Sequence, residues 1–182
     1  PTAALQSGNV MRMTWTDASN VSHTVSIVRM ADGTALPANA TADPDDVEIA
    51  VDWSQGMAGA NGVVAQLTSA LAARGIGVTV SNPAADTLQF ADVGGTSHVT
   101  ALSARATATG LTGAAELPLF VDGASGATLT GAFTSTSPQE RGFAGRISVN
   151  AGVLADSSKL VVYQTGTPAS DTTRIDLIRE RL

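Results

Sequence analysis

The chain has 182 residues, of which 43% are hydrophobic, 14% charged and 4% aromatic, with a formal net charge of −6 and no cysteine. Without cysteine, disulfides, thiolate catalysis and cysteine-ligated metals are excluded within this chain. Lys159 is the only lysine and no basic patch is interleaved with aromatics, which argues against nucleic acid as a partner.

No apolar run approaches the ~20 residues of a membrane span, so no membrane partner is expected. The opening PTAALQSGNV has neither the basic nor the apolar region of a signal peptide. With no initiator methionine and an abrupt end at RERL, the chain reads as a piece of a longer protein. Charge is uneven: residues 1–139 hold 11 acidic and 4 basic residues, and residues 140–182 hold 5 and 6.

In chain order, NVMRMTWTD (9–17) places Val10, Arg12, Thr14 and Thr16 on one face and Met11, Met13 and Trp15 on the other, the signature of a half-buried strand. HTVSIVRM (23–30) alternates again after the turn formers ASNVS, which predicts a β-hairpin. Residues 31–46 read as loop, punctuated by Asp32-Gly33 and two prolines. VEIAVDW (47–53) is a third strand with Val47, Ile49, Val51 and Trp53 on one side. Val64, Leu67 and Leu71 then follow helical spacing, with Ser54 or Asn61 as candidate starts and Gly75 as the C-terminal cap. Three strand-like runs follow at 77–82, 87–93 and 97–106.

Residues 107–115 read as a linker. Beyond it ELPLFVDG, ATLTGAF and GRISVN suggest another small β region, and AGVLADSSKLVVYQ a helical turn or loop followed by a strand. In 171–182, Ile175, Ile178 and Leu182 share one face of a helix that Asp171 can cap, with Asp176 and Arg179 as an ion pair. The expectation is an α+β chain, mostly β: an antiparallel sheet with one covering helix in a first domain, 1–112, and a second small β-rich region, 113–182, ending in the start of a helix.

Chemistry-bearing patterns are sparse. His23 and His98 each fall inside a strand pattern. Asp43, Asp45, Asp46 and Glu48 form the best calcium candidate but lack the full EF-hand spacing, so a solvated loop is the simpler reading. Ser125 lies in DGASGAT, not in a nucleophile elbow, and GIGVTV precedes a strand, unlike a dinucleotide loop. Asn20-Val21-Ser22 and Asn39-Ala40-Thr41 match a glycosylation sequon, a short pattern that arises often by chance. No constellation fits an active site. The reading is therefore no enzyme, no catalytic residue, no cofactor and no metal.

Three phrases, LPLFVDG (117–123), GFAGRISVNAGVLADSSKLVVY (142–163) and TPASDTTRIDLIRERL (167–182), resemble the C-terminal half of the flagellar hook-associated protein 1 (FlgK) family, particularly its alphaproteobacterial forms. Gly142, Ala144, Arg146, Ile147, Val149 and Asn150 match the first motif of that family, Leu154 and Asp156 the second, and Asp171 and Arg174 the third. Ala151 and Ile175 stand where proline is common, and Ser170 where glycine is common. HTVSIVRM, DPDD and VDWSQGMAG are similar to the family's inserted outer domain.

The resemblance implies an extracellular structural role at the hook–filament junction of a bacterial flagellum, after export by the flagellar secretion apparatus. It implies the hook protein and the second junction protein as partners, with ring self-association through parts outside this chain and a monomeric state for the chain alone. Gly142, Gly145, Arg146, Asn150, Asp156, Asp171 and Arg174 are then structural: Arg146 would pair with a carboxylate or cap carbonyls, Gly142 and Gly145 would let backbones approach, and Asn150 would close its strand through an Asx turn. Two other classes stay open, a surface adhesin or glycan-binding module and an appendage-tip hydrolase.

Overall fold

A computed structural model describes residues 5–30, 46–85, 87–123, 126–131, 139 and 142–181. The chain divides into two units: Ser7–Arg105, and the described residues of 106–182 together with Leu5 and Gln6.

The first unit begins as its alternation dictates. Strands β1 (Val10–Asp17) and β2 (Ser22–Arg29) pair antiparallel, with Val10 opposite Val28 and Trp15 opposite His23. Asn20 takes the left-handed conformation in the turn, and the Asp17 carboxylate accepts the Ser19 and Val21 amides. Asparagine tolerates that conformation and aspartate offers a local acceptor. Strand β3 (Asp46–Val51) lies on the far side of β2, and β6 (Ser97–Ala104) on the far side of β1, giving the order β3-β2-β1-β6.

The sheet departs from the all-antiparallel expectation in one pairing: β3 runs parallel to β2. Parallel neighbours need a crossover rather than a tight turn, and the stretch 31–45 between them is long enough to make one. That predicted loop itself lies outside the described residues. Strands β4 (Val78–Ser81) and β5 (Gln89–Asp92) form a separate two-stranded sheet instead of extending the first.

Met11, Met13, Val25, Ile27, Ile49 and Val51 bury one face of the larger sheet. Helix α1 (Val63–Ala73) packs Val63, Leu67 and Leu71 into the same cluster, joined by Ile76, Val78 and Val80. Trp15, Trp53 and Phe90 border it, half-buried. The helix ends as the sequence predicts. Gly75 has φ +71°, its amide donates to Ala72 O, and the Ile76 amide reaches back to Leu71 O. This is a Schellman motif that a Cβ would strain.

The helix starts at Gly62, after both candidate starts, and no side chain caps it. Gln66 ties this end down instead: Nε2 donates to Asp52 O at 2.8 Å and Asn61 O at 2.8 Å, while Oε1 accepts the Asp52 amide at 2.9 Å.

The second unit is built differently. From 105 to 119 there is neither helix nor strand. Strands β7 (Phe120–Asp122), β8 (Ala127–Thr128) and β9 (Ile147–Val149) form a small antiparallel sheet of order β8-β7-β9. Helix α2 (Ala151–Ala155) and a 3-10 turn, Ser157–Leu160, follow directly. Residues 161–163 form no strand, contrary to expectation: the Val161 and Val162 amides are turned back onto Ser158 O, which takes them out of any ladder.

Helix α3 (Thr173–Arg181) does not bury its apolar stripe. Ile175 is 46% exposed and Arg174 is 1% exposed, so the inward residue is the arginine one position earlier. Leu182 lies outside the described residues. The Asp176–Arg179 pair is present at 3.7 Å on the solvent side.

Candidate functional site

The described apolar side chains buried in the second unit are few, chiefly Val121, Val153 and Tyr163, and two ionic side chains, Asp122 and Arg174, are buried with them. Backbone without a ladder must satisfy its carbonyls elsewhere, and arginine offers five donors in a fixed fork.

Arg174 uses all five. Nε donates to Ala115 O at 2.8 Å, Nη1 to Leu111 O at 3.0 Å and Lys159 O at 2.7 Å, and Nη2 to Ala114 O and to Glu116 O at 3.1 Å. One guanidinium thereby organises the turn at 111–116 and joins it to the 3-10 turn ending at Leu160. The Tyr163 ring lies 5.1 Å from the guanidinium carbon, a cation–π contact. Burial lowers the Arg174 pKa, with Tyr163 and Glu116 opposing. An arginine keeps its charge under such pressure.

Asp171 fixes the start of the helix that carries Arg174. Its carboxylate accepts the Thr173 amide at 2.8 Å and the Tyr163 hydroxyl at 2.9 Å. The Thr173 hydroxyl and amide hold its pKa below the ordinary aspartate value, and the Tyr163 bond adds to this. Tyr163 therefore contacts both Asp171 and Arg174, the two residues of the third motif.

Arg146 performs a smaller version of the same task. Its Nε lies 3.1 Å from both Asp122 carboxylate oxygens, and Nη2 lies 3.1 Å from Oδ2 and 3.2 Å from Gln139 O. Gln139 continues the network: its Oε1 accepts from the Thr130 amide at 2.7 Å, and its Nε2 donates to Thr128 O at 3.1 Å.

Gly142 has φ +72° and faces Arg146 Nη1 closely. Gly145 has open space where a Cβ would stand and no positive φ, so the geometry does not require glycine there, against expectation. The close backbone approach falls at Gly123, where a Cβ would meet Arg146 O at 2.7 Å. Sequence reasoning missed Gly123 because only the β7–β9 register brings it to Arg146.

Asn150 joins strand to helix. Oδ1 accepts the Gly152 amide at 2.9 Å, an Asx turn that caps α2, while Nδ2 donates to Pro118 O at 3.0 Å and the backbone amide donates to Leu119 O at 2.9 Å. Asp156 caps the following 3-10 turn by accepting the Ser158 hydroxyl at 2.6 Å and the Ser158 amide at 3.1 Å, which depress its pKa. Lys159 Nζ is 4.0 Å away. Leu154, the other residue of that motif, is 73% exposed.

The remaining candidates lie in the first unit or beyond description. His23 stacks on Trp15 with ring centroids 4.7 Å apart and approaches Asp17 at 3.4 Å; His98 approaches Asp92 at 3.2 Å. Asp43, Asp45 and Ser125 lie outside the described residues. Asp46 and Glu48 fall on β3, and Asn20 sits in the exposed hairpin turn. Among the described residues, no three His, Asp or Glu side chains gather to hold a metal ion, and no helix is long and apolar enough to cross a membrane. Comparisons of the chain with protein-family models, with curated proteins and with solved structures each give no match.

Proposed function

We propose that this chain is the outer, surface-displayed part of a hook–filament junction protein of the bacterial flagellum, with a mechanical rather than a catalytic role. The observation that carries the reading is how the motif residues are used. Arg146, Asn150, Asp171 and Arg174, which supply the resemblance, bond inward to carbonyls, amides and carboxylates of their own unit. Fully satisfied polar networks rigidify the segments they join, which suits a scaffold that bears load. The partners in this reading are the neighbouring hook and junction subunits, reached through regions beyond this chain, and the location is extracellular.

Immunogold electron microscopy of intact cells, with antibody raised against this chain, tests the proposal. One labelled spot per flagellum, where hook meets filament, is the expected result. Label along a whole hook or filament would keep the axial class but change the protein. Label on the cell body away from flagella would overturn the reading in favour of an adhesin.

A further inference from the structure

We propose that Asn61-Gly62 is a site of spontaneous covalent modification, the conversion of asparagine to aspartyl and isoaspartyl residues, and that the fold protects Asp122-Gly123 from the equivalent reaction. In both pairs a glycine amide follows a side-chain carbonyl carbon, the arrangement that closes most readily to a five-membered succinimide. At Asn61 the Gly62 nitrogen attacks Cγ, the Cγ–Nδ2 bond breaks, and ammonia leaves with the displaced proton. One water then opens the ring at either carbonyl, giving aspartate or, with an extra methylene in the main chain, isoaspartate. Water is the only co-reactant.

The side chains of the two pairs sit in opposite surroundings. Asn61 is exposed, and no hydrogen bond among the described residues holds its side-chain amide. Gly62 itself is buried and its amide donates to Gly59 O at 3.1 Å, so what sets this pair apart is the exposed, unheld Asn61 side chain. Glycine is enforced at 62, because a Cβ would lie 2.5 Å from Ala58 O. Asp122, in contrast, is 7% exposed and held by Arg146 through both carboxylate oxygens. An ionised carboxylate is a poor electrophile, and the Gly123 amide donates to Arg146 O at 2.7 Å, a shorter bond than the one Gly62 makes.

The two products at 61 have opposite consequences. Isoaspartate lengthens the backbone and moves the Asn61 carbonyl away from Gln66 Nε2, one of the three bonds anchoring the start of α1. Aspartate keeps the backbone and sets a negative charge beside a helix start that has no side-chain cap and no acid in its first turn, which is favourable.

The test is peptide mapping by mass spectrometry of the folded chain after incubation in mildly alkaline buffer, with a urea-unfolded sample alongside. The expected result is many-fold faster conversion at 61 than at 122 in the folded chain and, in a parallel incubation at about pH 5, where an unpaired carboxyl is partly protonated, isoaspartate at 122 in urea but not in the folded chain. The isoaspartyl form should melt below the unmodified chain, and Asn61→Asp at or above it. Conversion at 61 seen only in urea would overturn the proposal, as would equal rates at the two sites in the folded chain. Equal melting of the isoaspartyl and Asn61→Asp forms would overturn the anchoring argument.

Discussion

Replacing Arg174 with alanine removes one side chain and strands five carbonyls, those of Leu111, Ala114, Ala115, Glu116 and Lys159. A hydrogen bond to a charged group contributes about 1.5–3 kcal/mol. Because five bonds share one guanidinium their losses do not add, and water entering the space left behind re-solvates some of the carbonyls. A buried carbonyl left without a donor costs about 1–3 kcal/mol, so with part of the five re-solvated the loss expected here is about 3–5 kcal/mol. Domains have about 5–15 kcal/mol in total, so the second unit would be left marginal.

Both tryptophans, Trp15 and Trp53, belong to the first unit and Tyr163 to the second, so hydrogen exchange resolved by peptide is the informative assay. Arg174→Ala should lose protection across 111–116 and 159–163 while the strands of Ser7–Arg105 keep theirs. Arg174→Lys should fail to restore it, because an ammonium has three donors at one point and cannot span five carbonyls. A loss below about 1 kcal/mol, the size of an ordinary substitution, or full rescue by lysine, would refute the argument that this side chain organises the unit.

Gln66→Ala should cost about 1–3 kcal/mol by leaving the Asp52 amide and carbonyl unpaired, read as a lower urea midpoint from tryptophan fluorescence. Leu67→Ala, at a fully buried position in the main core, should cost about 2–5 kcal/mol in the same assay. The carboxylates of Asp17, Asp52, Asp92, Asp156 and Asp171 titrate below the ordinary aspartate value because amides and hydroxyls bond to their charged forms. A depressed folded-state pKa gives stability that is present above the unfolded value and lost as pH falls through the folded one. Melting temperature should therefore hold from neutrality to about pH 5 and fall below about pH 4, with a smaller fall in Asp171→Asn. Light scattering at low concentration should give the mass of a monomer, and a stable oligomer would contradict that expectation.

The parts of the fold that were legible rest on local pattern. Met11 and Met13 against Arg12 and Thr14 marked the faces of β1, and Leu67, Leu71 and Gly75 marked the helix and its cap. Both signals lie within a few residues and follow from the two side-chain periods. What was not legible depends on distant chain. The parallel pairing of β3 with β2 cannot be read from its own alternation, which is the same for either strand direction. Gln66 looks like any polar helix residue until Asp52 and Asn61 are brought to it.

Arg174 was singled out by its motif, yet its burial ran against the apolar stripe of Ile175 and Ile178. The sequence does not reveal that the loop at 111–116 has carbonyls in need of donors. Glycine roles were exchanged for the same reason: Gly145 attracted notice by its place in the motif, whereas register gave the tight approach to Gly123.

The most direct test of the central claim uses the absence of native cysteine in this chain. A single cysteine introduced by Ser69→Cys, on the exposed side of α1, can be labelled with a fluorescent maleimide on living, swimming cells. The account predicts one fluorescent spot at the base of each filament and none in cells lacking the hook. Label spread over the cell surface, or label that persists in cells without flagella, would contradict it.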